Sequence, residues 1–132
     1  MDQDAIQQMT ADECWRRLRD AAYGRLAVVV EGGPDIFPVN HVVDRGTLVF
    51  RTATGTKLAG AVGQYVAYEI DGRDGDTAWS VVVKGPATEV RDFYDSIEVL
   101  DLGITPWQQG NKPRFVRIEP EETTGRAFRI SG

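Results

Sequence analysis

Three β-rich runs, separated by turns too short for anything but hairpins, limit what this chain can fold into more than any other feature. Arg25–Val30 leads into the turn cluster Glu31–Asp35, Ile36–Val43 into Asp44–Gly46, and Thr47–Thr52 into Ala53–Thr56. A parallel crossover needs about a dozen residues or more, so these runs pair antiparallel as a meander. Pro38 lacks an amide donor and marks an edge or a bulge in the second run. Tyr65–Ile70 continues the pattern. The turn Asp71–Asp76 then leads into a long fifth strand, Ala78–Val90, which must bend at Gly85-Pro86. Arg114–Ile118 makes a sixth strand and Arg126–Ile130 a further short segment.

Helices are marginal. Thr10-Ala-Asp-Glu13 is a capping box, and Cys14, Leu18 and Ala22 follow at helical spacing with Trp15 beside them. Gly24 reads as the terminator. Lys57–Val62 suggests a helix of under two turns, Asp92–Leu102 a second helix, and Gly103–Pro113 a loop. Residues 1–9 read as an N-terminal arm. The expected fold is therefore mainly β with marginal helices: about six antiparallel strands closed into a small barrel, which hides strand edges.

A chain of 132 residues fits one domain, 1–132, able to hold its own core. Twenty acids against fifteen bases leave a formal charge of −5, which argues against a broad nucleic-acid footprint. The single cysteine, Cys14, excludes an internal disulfide, and the single histidine, His41, excludes a multi-histidine metal centre. A Ser–His–Asp triad would have to use His41, and no GxSxG accompanies it. The N-terminus is polar and acidic, and no run approaches the roughly 18 apolar residues of a membrane span. The expected location is the cytoplasm, without membrane or nucleic-acid partners.

The chemistry concentrates in Phe50–Lys57. Arg51 and Lys57 flank Thr52, Thr54 and Thr56 where a strand leads into a helix. That combination offers a phosphate charged and neutral donors with helix amides behind them, and Gly55 permits close backbone approach. The plainer reading is a polar turn with an N-cap. The spacing is not that of a Walker loop. In Phe37–His41, Asn40 carries both a donor and an acceptor, which suits a heteroaromatic edge as well as it suits a neighbouring bulge. In Trp79–Gly85, Ser80 and Lys84 alternate with apolar residues, as on any half-buried strand. Pro106-Trp107 puts an aromatic on a polar loop, where it caps a ligand, meets a partner chain or covers a core edge. His41 is open to a structural, general-base or haem-ligating role. Cys14 packs on the buried face of its helix.

These segments occur in an order that resembles the pyridoxamine 5′-phosphate oxidase-like family of flavin-binding split β-barrels, in its short, actinobacterial and nitroimidazole-resistance-like form. The resemblance runs from about Thr10 to Arg126, through Tyr23–Leu26, Pro38–Asn40, Phe50–Thr52 with Lys57, Trp79–Gly85, Pro106-Trp107 and Thr124–Arg126. It implies a homodimer holding FMN in two equivalent clefts between subunits. By this resemblance Arg51, Thr52 and Lys57 bind the FMN phosphate, and Val39 and Asn40 line the isoalloxazine edge. Trp79 and Ser80, together with Trp107 of the partner subunit, make further contacts to the ring or ribityl chain. It implies an FMN-dependent oxidoreductase acting on a small organic substrate. The alternatives are a deazaflavin-dependent reductase, or a non-catalytic protein binding FMN, FAD or haem. Full-length oxidases of the vitamin carry an Arg-rich C-terminal substrate site, whereas this chain ends Arg126–Gly132, so the vitamin is not the expected substrate. His41 stands where the family leads one to expect an aromatic such as Tyr. A half-buried strand position there would accept either.

Overall fold

Two-residue turns join three pairs of successive strands. In the computed structural model, which describes residues 6–53, 57–90 and 113–130, the elements in chain order are β1 (Gln7–Gln8), α1 (Ala11–Asp20), β2 (Tyr23–Val30), β3 (Gly33–Asp44), β4 (Thr47–Ala53), a 3-10 turn η1 (Lys57–Ala61), β5 (Tyr65–Asp74), β6 (Thr77–Glu89), β7 (Pro113–Ile118) and β8 (Glu122–Arg129). Glu31-Gly32 and Arg45-Gly46 have positive φ at both positions, the turn geometry whose twist matches that of the flanking strands.

All observed pairings are antiparallel. The order β6-β5-β2-β3-β4-β7 closes when β7 pairs back onto β6, making a six-stranded barrel, while β8 and then β1 extend the sheet from β6. One long strand serves both parts. Thr77–Lys84 of β6 pairs with β8, and Ala87–Glu89 pairs with β7. The changeover falls at Gly85-Pro86, where the sequence anticipated a bend. A Cβ on Gly85 would lie 1.8 Å from the Glu119 carbonyl oxygen. Glu119 N–H donates to Pro86 O at 3.1 Å and Glu121 N–H to Lys84 O at 2.8 Å. This split is the feature that makes the barrel more than a meander.

Alternation puts Leu26, Val28, Val39, Leu48, Phe50, Tyr68, Ile70, Val81, Val83, Val116 and Ile118 inside. Each large apolar side chain so buried contributes about 1.5–3 kcal/mol. Helix α1 adds Cys14 and Leu18 to the same core. Its start follows the sequence signal, with Thr10 Oγ1 accepting from Glu13 N–H at 3.2 Å. Its end does not. The helix stops at Asp20 with Ala21 as its cap, and Ala22 is exposed. Gly24, expected as terminator, lies inside β2, where a Cβ would sit 2.6 Å from Glu69 O and 2.7 Å from the Tyr68 ring. Gly125 plays the same part under α1, with Cys14 Sγ 2.5 Å from where its Cβ would be.

Pro38 sits where β3 pairs with β2 alone, because pairing to β4 begins only at His41. The edge position inferred for it holds locally. The wide turn expected over Asp71–Asp76 shrinks to Gly75-Asp76, with Asp74 paired to Thr77. Asp71 and Asp74 are strand residues, paired with Ser80 and Thr77 on β6, and Arg25 and Arg17 bind their carboxylates at 2.6 and 2.8 Å. The short segment expected at Arg126–Ile130 is a full strand, held by eight registered pairs with β6. Within the arm expected over residues 1–9, Gln7 and Gln8 pair with β8. The expected helix Asp92–Leu102 lies outside the described residues. None of the described helices is long and apolar enough to cross a membrane.

Candidate functional site

Successive side chains on a strand face opposite ways, and this divides the residues that the sequence groups together. Val39 is buried in the barrel core, while Asn40 beside it is exposed on the outside. Thr52 shares the parity of Phe50 and is 3% exposed. Arg51 lies on the opposite face with Val49, which is buried in a second apolar cluster with Val42, Val90 and Phe115, and Arg51 itself is half-buried. Trp79 packs against the interior and Ser80 points outward. Lys57 opens η1. Thr54, Gly55, Thr56 and Trp107 lie outside the described residues.

The three outward residues fall on one row across the sheet. Asn40 is paired with Tyr23, and Ser80 with Asp71. Arg51 follows one step beyond the last registered β3–β4 pair, His41–Phe50. Asp71 follows two residues beyond Arg25–Glu69 on β5. The row therefore reads Arg51, Asn40, Tyr23, Asp71, Ser80, spanning four inter-strand spacings, about 19 Å along the sheet. It carries a guanidinium at one end, an amide and a phenol ring in the middle, and a carboxylate and hydroxyl at the other.

Arg25 stiffens the middle of this face. Its guanidinium donates to Glu69 from Nη2 at 2.6 Å and from Nε at 3.0 Å, and reaches Asp71 at 2.6 Å. Partial burial pushes the Glu69 carboxyl above the ordinary carboxylate range, its hydrogen bond with Asp71 adds to that, and Arg25 opposes it. The sequence alone missed Tyr23, Arg25, Glu69 and Asp71 as neighbours of Asn40. The available signal was the turn: a two-residue loop at Glu31-Gly32 sets Tyr23 opposite Asn40 by register.

The inward residues do something else. The Arg17 guanidinium lies 4.3 Å from the centroid of the Trp79 ring, and Gly72 leaves room for that ring, since a Cβ there would be 2.5 Å from it. Trp79 thus forms part of the seat of α1. A cavity of about 230 Å³ beside it is lined by Arg17, Asp74, Thr77 and Glu13 among others.

His41 is buried at 5% exposure rather than half-buried. Nε2 lies 2.9 Å from the Leu18 carbonyl, which only accepts, so Nε2 carries the proton. Nδ1 then accepts from the Tyr68 hydroxyl, for which Val39 O is a longer alternative acceptor at 3.2 Å. The two rings meet edge to face, 5.1 Å apart. Burial pulls the imidazole below its ordinary pKa, against the Leu18 bond. The same burial pushes the Tyr68 phenol far up. His41 is therefore a neutral structural group that satisfies a carbonyl in the last turn of α1. Tyrosine is not an equivalent there, because the bond to Leu18 needs a donor at that distance within a packed core. With both ring nitrogens engaged, His41 offers none to haem iron.

A closed six-stranded antiparallel barrel, with one strand shared between the barrel and a helix-covered extension, defines the split β-barrel class. A family model described as pyridoxamine 5′-phosphate oxidase matches residues 10–127, and the chain belongs to that family. An uncharacterized Mycobacterium tuberculosis protein, Rv0080, is 38% identical over 128 residues, covering 91% of this chain and 84% of that protein. The FAD binding protein of Mycobacterium smegmatis superposes with a TM-score of 0.86 at 40% identity, over 95% of this chain and 100% of the other. A FAD-binding protein of Mesorhizobium loti gives a TM-score of 0.75 at 26% identity, over 92% of this chain and 97% of the other.

Proposed function

We propose that this protein is a flavin-dependent oxidoreductase that holds FMN or FAD along the outer row. The observation that carries the reading is the order of groups in that row. Arg51, with Lys57 opening the adjoining turn, suits a phosphate; Asn40 next to it suits the donor–acceptor edge of a flavin pyrimidine. Two structural neighbours above 25% identity are FAD-binding proteins. FAD contains the whole FMN unit, so the same residues serve either nucleotide. Bound flavin supplies the hydride chemistry, and the protein positions and tunes it. The substrate class is a small organic acceptor, and no acid or base in the chain is assigned a catalytic role.

The working unit is a homodimer with cofactor sites at the subunit interface. Val29, Ile36 and Tyr65 support this: they stand 58–62% exposed on the outer face of three barrel strands. A face of that kind is normally covered in the assembled state.

Absorbance titration of the purified protein with FMN, FAD, riboflavin and haemin tests the reading, followed by turnover with a reduced nicotinamide. Arg51→Ala and Lys57→Ala each remove a charge-assisted bond of about 1.5–3 kcal/mol, so FMN affinity falls about tenfold or more while riboflavin affinity hardly changes. Equal losses for both ligands would place these residues in the fold rather than on a phosphate. Wild-type protein that binds no flavin overturns the proposal. Flavin binding without turnover favours a carrier or sensor.

A further inference from the structure

We infer that Tyr23 is a ligand-contacting residue, the aromatic side chain on which the ring system of the bound flavin rests. This rests on the flavin reading above and extends it to a residue that neither the phosphate cluster nor Asn40 implies. Tyr23 begins β2, is paired with Asn40, and has the outward parity of Arg25 and Ala27. Tyr23 is 60% exposed although β3 pairs with it directly, and the registered pairs with β5 begin only at Arg25. The inward neighbour Gly24 fits tightly against Tyr68 and Glu69, which fixes the backbone from which Tyr23 projects. On the far side Asp71 is held by Arg25 at 2.6 Å. The phenol ring is therefore a platform set between a fixed carboxylate and the amide of Asn40, with the guanidinium of Arg51 one strand further on. A nucleotide with its phosphate on Arg51 and its pyrimidine edge on Asn40 extends its fused rings toward β2. Stacking on an aromatic side chain contributes enough to read as a change of about tenfold in affinity.

The test uses the full chain and its Tyr23→Ser and Tyr23→Phe variants, titrated with FMN and riboflavin by quenching of flavin fluorescence. Melting temperature and light scattering are measured alongside. Tyr23→Ser should weaken both flavins about equally, by about tenfold, and leave bound flavin more fluorescent. Tyr23→Phe should restore wild-type affinity to within about twofold. Because the ring is exposed, melting temperature should hold in both variants. Wild-type affinity and quenching in Tyr23→Ser would overturn the inference while leaving the flavin reading intact. So would a change of oligomeric state with flavin binding unaltered, which would make Tyr23 a subunit contact. If the wild type binds neither flavin, the broader proposal fails and this one with it.

Discussion

Replacing His41 with Phe keeps a planar ring of similar size but removes both of its hydrogen bonds. The structure sets the magnitude. Leu18 O loses the donor 2.9 Å away in a site where His41 is 5% exposed, and an unpaired buried acceptor costs about 1–3 kcal/mol. The Tyr68 hydroxyl can turn to Val39 O, so its loss is nearer the net worth of one bond, about 1 kcal/mol. The sum is about 2–4 kcal/mol, which for a domain of this size lowers Tm by roughly 10 °C. There is also a pH signature. Folding depresses the His41 pKa below its ordinary 6.5, so the unfolded chain binds more protons in that window. The wild type keeps the full contribution above pH 6.5 and loses it as pH falls through the folded value. Glu69, raised by burial, acts in the opposite sense on acidification, but it is common to both proteins and cancels in their difference. Thermal melts of wild type and His41→Phe from pH 8 to pH 5 should therefore show a gap that narrows on acidification. A small gap at pH 8, or one that stays constant down to pH 5, would refute the structural role given to this histidine. His41→Tyr should be destabilised as well, since its hydroxyl cannot occupy the place of Nε2.

Gly85→Ala should be the most damaging glycine substitution, because its Cβ would fall 1.8 Å from Glu119 O, backbone that cannot swing aside. Gly24→Ala should cost about 3 kcal/mol in urea unfolding, because its Cβ would fall 2.6 Å from the Glu69 carbonyl oxygen and 2.7 Å from the fully buried Tyr68 ring. Arg117→Met removes the partner of the buried Asp44, bonded at 3.0 Å, and of Thr47, bonded at 2.6 Å. It should cost about 3 kcal/mol by the same assay, and substituting Met for both Arg117 and Asp44 should recover part of it. Ile36→Lys places a charge on the exposed apolar face and should give a monomer by light scattering; an unchanged dimer would move the interface elsewhere.

Local chemistry alone determined much of this protein. The Thr10 cap, the turn clusters at Glu31–Asp35 and Asp44–Gly46 and the period of two in each strand all act between near neighbours, so they are written where they operate. The bend at Gly85-Pro86 was marked by residue type, although the contact that requires it, Glu119 O, lies 34 residues away. Barrel closure also followed, since consecutive hairpins leave edges that must meet. The polar run at Arg51 was legible as chemistry, though without its companions across the sheet.

What the tertiary structure decided was direction. A period of two says that Trp79 and Ser80 face opposite ways, but not which faces the core; α1 settled that by laying Arg17 over Trp79. Gly24 looked like a helix end because its constraint comes from Tyr68 and Glu69, 44 or more residues away in sequence. His41 looked half-buried because nothing near it in sequence announces Leu18 O and Tyr68 as its partners. The row from Arg51 to Ser80 exists only once five strands are in register. Packing between distant segments chooses the face and the neighbours, and a strand cannot encode either by itself.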